Sequence, residues 1–152
     1  MRVFSQFLIG LLLIPLLAAK TAAAADYARW AGGGLLIRGY DTTAYFMTGK
    51  PRKGTRGHGV AWNGGNWRFQ SAKEAKAFEG NPSAYMPQFG AYCTGGLSQK
   101  HVVDGNPVNW RIHKGRLYLF YAAAGARRFD KDPEGTIRAA RAYARQVGIK
   151  EN

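Results

Sequence analysis

Cysteine occurs once in this chain, at Cys93, and acids are scarce, with nine Asp and Glu against 22 Lys and Arg. A single thiol excludes a disulfide framework within the chain, C-x-x-C redox chemistry and c-type haem attachment. Gly32-Gly33-Gly34 has no lysine at the place a phosphate-binding loop requires. No nucleophile elbow or hydrolase arrangement is recognisable, so the chain is not expected to be an enzyme. No apolar run comfortably reaches the roughly 20 residues of a membrane span. There are no internal repeats and no second domain. The lone thiol is therefore a small buried filler, a soft-metal ligand, a reactive group or a link between chains.

The N-terminal segment supplies a compartment. Met1-Arg2 is a thin positive start, Phe7 to Ala19 is Leu-rich and apolar, and Ala22 to Ala25 are small. This order predicts a signal peptide over 1–25, cleaved before Asp26, and a periplasmic or secreted bacterial protein without a transmembrane segment in its mature form. No cysteine near the cleavage point allows lipidation. Cleavage removes Arg2 and Lys20 and lowers the formal charge of +13 by two. The remainder is long enough for one domain with its own core. Its basic surface favours anionic partners, either an anionic envelope surface or a partner protein. Export argues against nucleic acid. The same positive field disfavours cation binding at exposed sites.

The rest of the chain predicts a small α+β domain over 35–147, after a flexible lead-in (26–34) and before a short tail (148–152). Two β-hairpins are expected to form an antiparallel sheet packed by short helices and a C-terminal helix. Leu35-Leu36-Ile37 reads as a buried strand or extended entry. Asp41 or Thr42 caps a short helix through Phe46, and the basic, glycine-broken loop 49–58 is expected to be mobile. Val60–Trp62 and Trp67–Phe69 flank Asn63-Gly64-Gly65-Asn66, a hairpin signal. Ser71 and Glu74 make an S-x-x-E capping box for a helix with Ala72, Ala75 and Phe78 inward. Pro82 to Gly90 is turn-rich with one helical turn at 83–85, and Tyr92 to Gln99 reads as helix or loop. A second hairpin turns at His113-Lys114-Gly115, with Leu117, Leu119 and Tyr121 sharing one strand face. Asp132 and Pro133 start a helix to about Val147, with Ile137, Ala140, Ala144 and Val147 inward and Arg138, Arg141 and Arg145 as a basic face.

Four motifs occur in one order: G-Y-D-T-T-A-Y-F (39–46), W-R-F-Q-S (67–71), F-x-x-x-P-x-x-Y-x-P-Q-F-G-x-Y-C (78–93) and G-R-L-Y-L-F-Y (115–121). Together they resemble the YHS-domain family, specifically its exported single-domain members, over roughly 35–147. The resemblance implies a compact α+β unit of a kind also attached to heavy-metal and copper-transporting pumps. It also implies soft-metal binding through cysteines. In cysteine-bearing relatives the strand-to-helix segment reads like Y-x-F-C-S-x-x-C, and those two places are Gln70 and Glu74 here. Thr42, Thr43 and Ala91 also depart from the usual pattern. The thiol of the exported subclass matches Cys93 alone.

Cys93 and His101 are thus the best candidate pair for a soft metal, copper or zinc, with Met86 as a further thioether donor for Cu(I). Their C-x7-H spacing is no established ligand signature. His58 and His113 read as solvent-exposed. Asp41 reads as a turn former and helix cap, although it or Asp104 could instead orient His101 beside the thiol. The expected function is a non-catalytic exported binding module for a soft metal, copper first. The alternative is a metal-free structural or interaction domain using Arg138, Arg141 and Arg145 on anionic envelope components or a partner protein, and a thiol enzyme is a third, less favoured reading.

Overall fold

The computed structural model describes residues 34–152. The expected signal peptide and all but the last residue of the lead-in lie outside the described residues. Among the described residues the domain is α+β, with helices α1 (Thr42–Met47), α2 (Ala72–Gly80), α3 (Pro82–Tyr85), α4 (Thr94–Ser98), α5 (Ala123–Phe129) and α6 (Pro133–Gln146). Strands β1 (Gly59–Trp62) and β2 (Gly65–Arg68) form one antiparallel hairpin, and β3 (Asn106–His113) and β4 (Arg116–Phe120) form another. The hairpins are two separate two-stranded sheets, in place of the single sheet expected.

Local chemistry explains the element boundaries. Asn63-Gly64 and Lys114-Gly115 all have positive φ, the conformation a two-residue hairpin turn demands. The first turn is tighter than its sequence suggests, because Gly65 and Asn66 already pair across the hairpin. A side chain at Gly65 would overlap Leu36, at 2.2 Å from an added Cβ. Asp41 caps α1: one carboxylate oxygen accepts from the Thr43 N–H at 2.8 Å and its hydroxyl at 2.7 Å. The other accepts from the Gln70 N–H at 2.9 Å, so this buried carboxylate also staples α1 to the end of the first hairpin. Ser71 caps α2, accepting from the Glu74 N–H and donating to its carboxylate at 2.7 Å. Asp132 caps α6 through the Gly135 N–H at 2.8 Å, with Pro133 in the first turn.

Strand β4 carries the core. Leu117 and Leu119 join a cluster with Trp67, Phe69, Phe78, Met86 and Tyr45, whereas Tyr118 and Phe120 join a second cluster with Phe89, Cys93, Leu97, Phe129 and the inner face of α6. Both faces of β4 are therefore buried. Tyr121, expected to continue the inner face, is instead 68% exposed because the strand ends at Phe120. Phe78 lies 5.0–5.1 Å from the rings of Phe69 and Trp67, with Trp62 edge-on at 5.9 Å.

Other inward assignments change. Ala72 is exposed and Phe78 alone of its helical trio is fully buried, because α2 touches the core near its C-terminal end. Ile137, Ala140 and Ala144 are buried on α6, but Val147 is exposed and Ile149 is buried in its stead. Gly148, at φ +77°, reverses the chain there, and the Ile149 N–H donates to the Ala144 carbonyl at 2.9 Å. This is a Schellman C-cap, whose usual hydrophobic contact turns the expected tail back onto the domain. The basic loop 49–58 is likewise tied down: Arg52 O accepts from Asp41 N, Gly54 N donates to Gly39 O, and Thr55 N donates to Phe69 O.

Candidate functional site

The segment that delivers Cys93 is bent to an unusual degree. Phe89, Gly90 and Ala91 have φ of +54°, +60° and +70° and are all buried. Left-handed backbone is unfavourable for residues with a Cβ, by roughly 1–2 kcal/mol each. Such strain persists only where the surrounding structure enforces it, and it concentrates at functional sites. The bend brings Cys93 beside Leu119 of β4 in a parallel bridge. Its N–H donates to the Val103 carbonyl at 2.8 Å.

Cys93 is the N-cap of α4. Its sulfur accepts from the Gly96 N–H at 3.1 Å and from the Tyr121 N–H at 3.2 Å. The first bond closes a cap of the kind Ser or Asp usually makes. The second comes from the residue after β4 and ties the cap to the sheet. Although Cys93 is buried, it lines a cavity of about 360 Å³ whose walls include His101, Val103, Tyr121, Gly125 and Phe129. His101 is exposed at the rim. Lys100, at φ +63°, turns the chain into it, and the His101 N–H donates to the Gly96 carbonyl at 2.9 Å. An added Cβ at Gly96 would meet Val103 at 2.9 Å and the His101 carbonyl oxygen at 3.0 Å, so glycine lets this loop fold over α4.

Cys93 and His101 thus share one cavity. Met86 does not line it and belongs to the opposite core cluster, across β4. It shares that cluster with Leu117 and Phe78, whereas the thiol belongs to the other. Neither carboxylate suggested for orienting His101 does so. Asp41 is committed to Thr43 and Gln70. Asp104 bridges Tyr92, and burial pushes its carboxyl above the usual range. Among the described residues no group of three or more His, Cys, Asp or Glu side chains converges as a metal cage. Thr94, next to the thiol, is fully buried with a hydroxyl that has no partner among the described residues.

The arginines of α6 separate. Arg138 is exposed and lines no cavity described here. Arg141 is engaged by Glu151 through two bonds, Nε to Oε2 and Nη2 to Oε1, the latter 2.7 Å. That pairing holds the Arg141 guanidinium above its ordinary pKa. Arg141 and Arg145 line a groove of about 420 Å³ together with Lys114, Arg116, Glu134 and Glu151. His113 is not a free surface histidine. Its ring donates to or accepts from Glu134 at 2.9 Å and meets Phe129 edge-on at 5.8 Å. Bonds from His113 and Lys114 hold the Glu134 carboxyl down at about 2.

Helix α5, which supplies Gly125 and Phe129 to the cavity, has no sequence signature. Its N-cap is Ala122, with no side-chain bond. The groove was legible only as a helical arginine stripe, since Lys114, Arg116 and Glu151 reach it from a hairpin and a reversed tail.

Comparison with family models, with curated proteins and with solved structures finds no match to this chain.

Proposed function

We propose that this protein is a non-catalytic binding module, YHS-like in its motifs, that takes a soft transition-metal ion at the Cys93–His101 cavity, with copper as the first candidate. The observation that carries the reading is the pair itself: an unpaired sulfur lining a cavity with an imidazole at its rim. Thiolate and imidazole together suit copper in its lower coordination numbers. A structural zinc ion wants four protein ligands, which two donors do not meet. Bound copper would supply electron-accepting or electron-carrying character to the cavity, and the residues of this chain would hold it. The two backbone N–H groups on the sulfur would offset the negative charge of a coordinated thiolate and fix its direction. Arg128 lines the same cavity and adds positive charge. The expected export signal puts this activity in a periplasm or outside the cell.

The test is titration of the mature protein with Cu(I) against a competing chelator. Cys93→Ser is a clean variant, because a serine hydroxyl keeps the cap on Gly96. Wild type is expected to outcompete Cys93→Ser by at least about tenfold, His101→Ala to fall between them, and Met86→Leu to match wild type. Equal affinity of wild type and Cys93→Ser would remove the proposal.

A further inference from the structure

The groove between the second hairpin and α6 concentrates charge in a way the fold does not require. Lys114 and Arg116 flank its turn residue Gly115, and Arg141 and Arg145 stand one helical turn apart on α6. Four cations thus face one opening against two acids, Glu134 and Glu151. Lys114 is paired with Glu134, and Arg141 with Glu151. Arg116 and Arg145 have no Asp or Glu carboxylate within ion-pair distance among the described residues. Arg116 donates instead to the Gln88 side-chain oxygen at 3.1 Å and to the main-chain oxygen of Asn152. Clustering like charges is unfavourable unless an anion neutralises them.

An anion of this chain already sits there. The Schellman turn at Gly148 seats Ile149 in the core, and two residues later Glu151 lies on the Arg141 fork. The Asn152 side-chain N–H also donates to the Pro87 carbonyl. Ile149 on one side and Asn152 on the other hold the backbone, so leaving Arg141 requires movement of the Glu151 side chain only, with the turn still formed. A guanidinium fork accepts carboxylate and phosphate with the same geometry. One carboxylate satisfies Arg141 only. A phosphate group, with more charge and three terminal oxygens, would engage Arg116, Arg141 and Arg145 together.

We propose that this groove binds phosphate-bearing anions and that Glu151 is a built-in competitor for it. The reading is independent of the copper site, which lies on other residues. Two sources share the chemistry, a free phosphate compound and the headgroup of an acidic lipid.

The experiment titrates the mature protein with inorganic pyrophosphate at low ionic strength. In a second arm it is titrated with vesicles containing phosphatidic acid, phosphatidylcholine vesicles serving as the blank. Removing the competitor with Glu151→Gln is expected to tighten binding about three- to tenfold, the gain from freeing an occluded site. Arg116→Gln and Arg145→Gln are each expected to weaken it about tenfold. Arg138→Gln, on the same helix but outside the groove, is expected to change it less than about twofold. Thermal melts of each variant confirm that the fold is kept. The variant pattern seen with pyrophosphate supports the site for free phosphate compounds. The same pattern seen only with acidic vesicles supports it for lipid headgroups. Unchanged affinity in Glu151→Gln, or equal losses in Arg138→Gln and Arg145→Gln, would overturn the proposal and leave diffuse surface attraction. Binding in neither arm would overturn it as well.

Discussion

The two faces of β4 look into different kinds of interior. Leu117 and Leu119 meet large rings: Trp67, Phe69, Phe78 and Tyr45. The Tyr45 hydroxyl on that side donates to the Pro107 carbonyl, and the nearby Asp41 accepts from both Thr43 and Gln70. Burial pushes the Tyr45 phenol far up, so it stays a neutral donor to the Pro107 carbonyl. Tyr118 and Phe120 meet Phe129 at 5.4 and 5.1 Å, but also the small residues Ala126, Ala140 and Ala144 of α5 and α6, and that side holds both the thiol cavity and the cationic groove. One side is scaffold, and the other leaves space lined by chemistry-bearing side chains. The division also explains why Met86 and Cys93, seven residues apart, cannot be read as neighbours.

The comparison is broken most forcefully from the scaffold side. Phe78→Ala removes the ring on which Trp62, Trp67 and Phe69 converge and is expected to cost about 3–5 kcal/mol by urea unfolding. The folded fraction should bind Cu(I) as wild type does. A parallel loss of copper affinity would show that the two sides are one unit.

Asp41→Ala is next. It strands buried N–H donors of Thr43 and Gln70 and removes a cap, a loss of about 3 kcal/mol in the same unfolding assay. Asp41→Asn keeps one acceptor and turns an amide donor toward another donor, so its loss should be smaller but clear. Equal stability of wild type and Asp41→Ala would mean the carboxylate is no staple.

On the other side, Thr94→Val replaces a buried hydroxyl that lacks a partner among the described residues with an isosteric methyl. A gain of about 1 kcal/mol is expected, because the desolvation penalty disappears. A loss of stability would instead reveal a partner for that hydroxyl beside the thiol. The smallest effect belongs to Glu134. Its folded pKa of about 2 lies below the ordinary 4.5, so its pairing with His113 and Lys114 stabilises the fold above about pH 4.5 and fades as pH falls through 2. The melting-temperature gap between wild type and Glu134→Gln should close as pH falls from about 4.5 toward 2. Because Glu134 is on the surface, the gap should be small and shrink with salt. A gap that does not depend on pH would contradict the assignment.

Much of the fold was legible where local chemistry decides it. Asp41, Ser71 with Glu74, and Asp132 with Pro133 are caps that need only their own neighbours. Both hairpins announce themselves through turn residues that tolerate positive φ, Asn63-Gly64 in the first and Gly115 in the second. What periodicity missed is set by distant partners. Tyr121 keeps the alternation of β4 but lies past its end, and Ala72 keeps the helical spacing but sits where α2 has no neighbour. The reversal at Gly148 exchanged Val147 for Ile149. Helix α5 starts at an uncapped alanine and is held by Phe129 against β4. At the candidate site, Cys93 and His101 are brought together by backbone turns at Phe89, Ala91 and Lys100, none of them glycine. Nothing in residue type marks a left-handed Phe or Lys, so neither the juxtaposition of thiol and imidazole nor the exclusion of Met86 could be derived from spacing.

The central claim is that the proposed copper site uses Cys93, on the α6 side of β4, and not Met86, on the other side. X-ray absorption at the copper edge of Cu(I)-loaded mature protein tests it most directly, because it counts sulfur atoms around the metal. One sulfur with one or more nitrogen or oxygen scatterers is the expected result, reduced to no sulfur in Cys93→Ser. Two sulfur scatterers in wild type, one of them lost in Met86→Leu, would contradict the account.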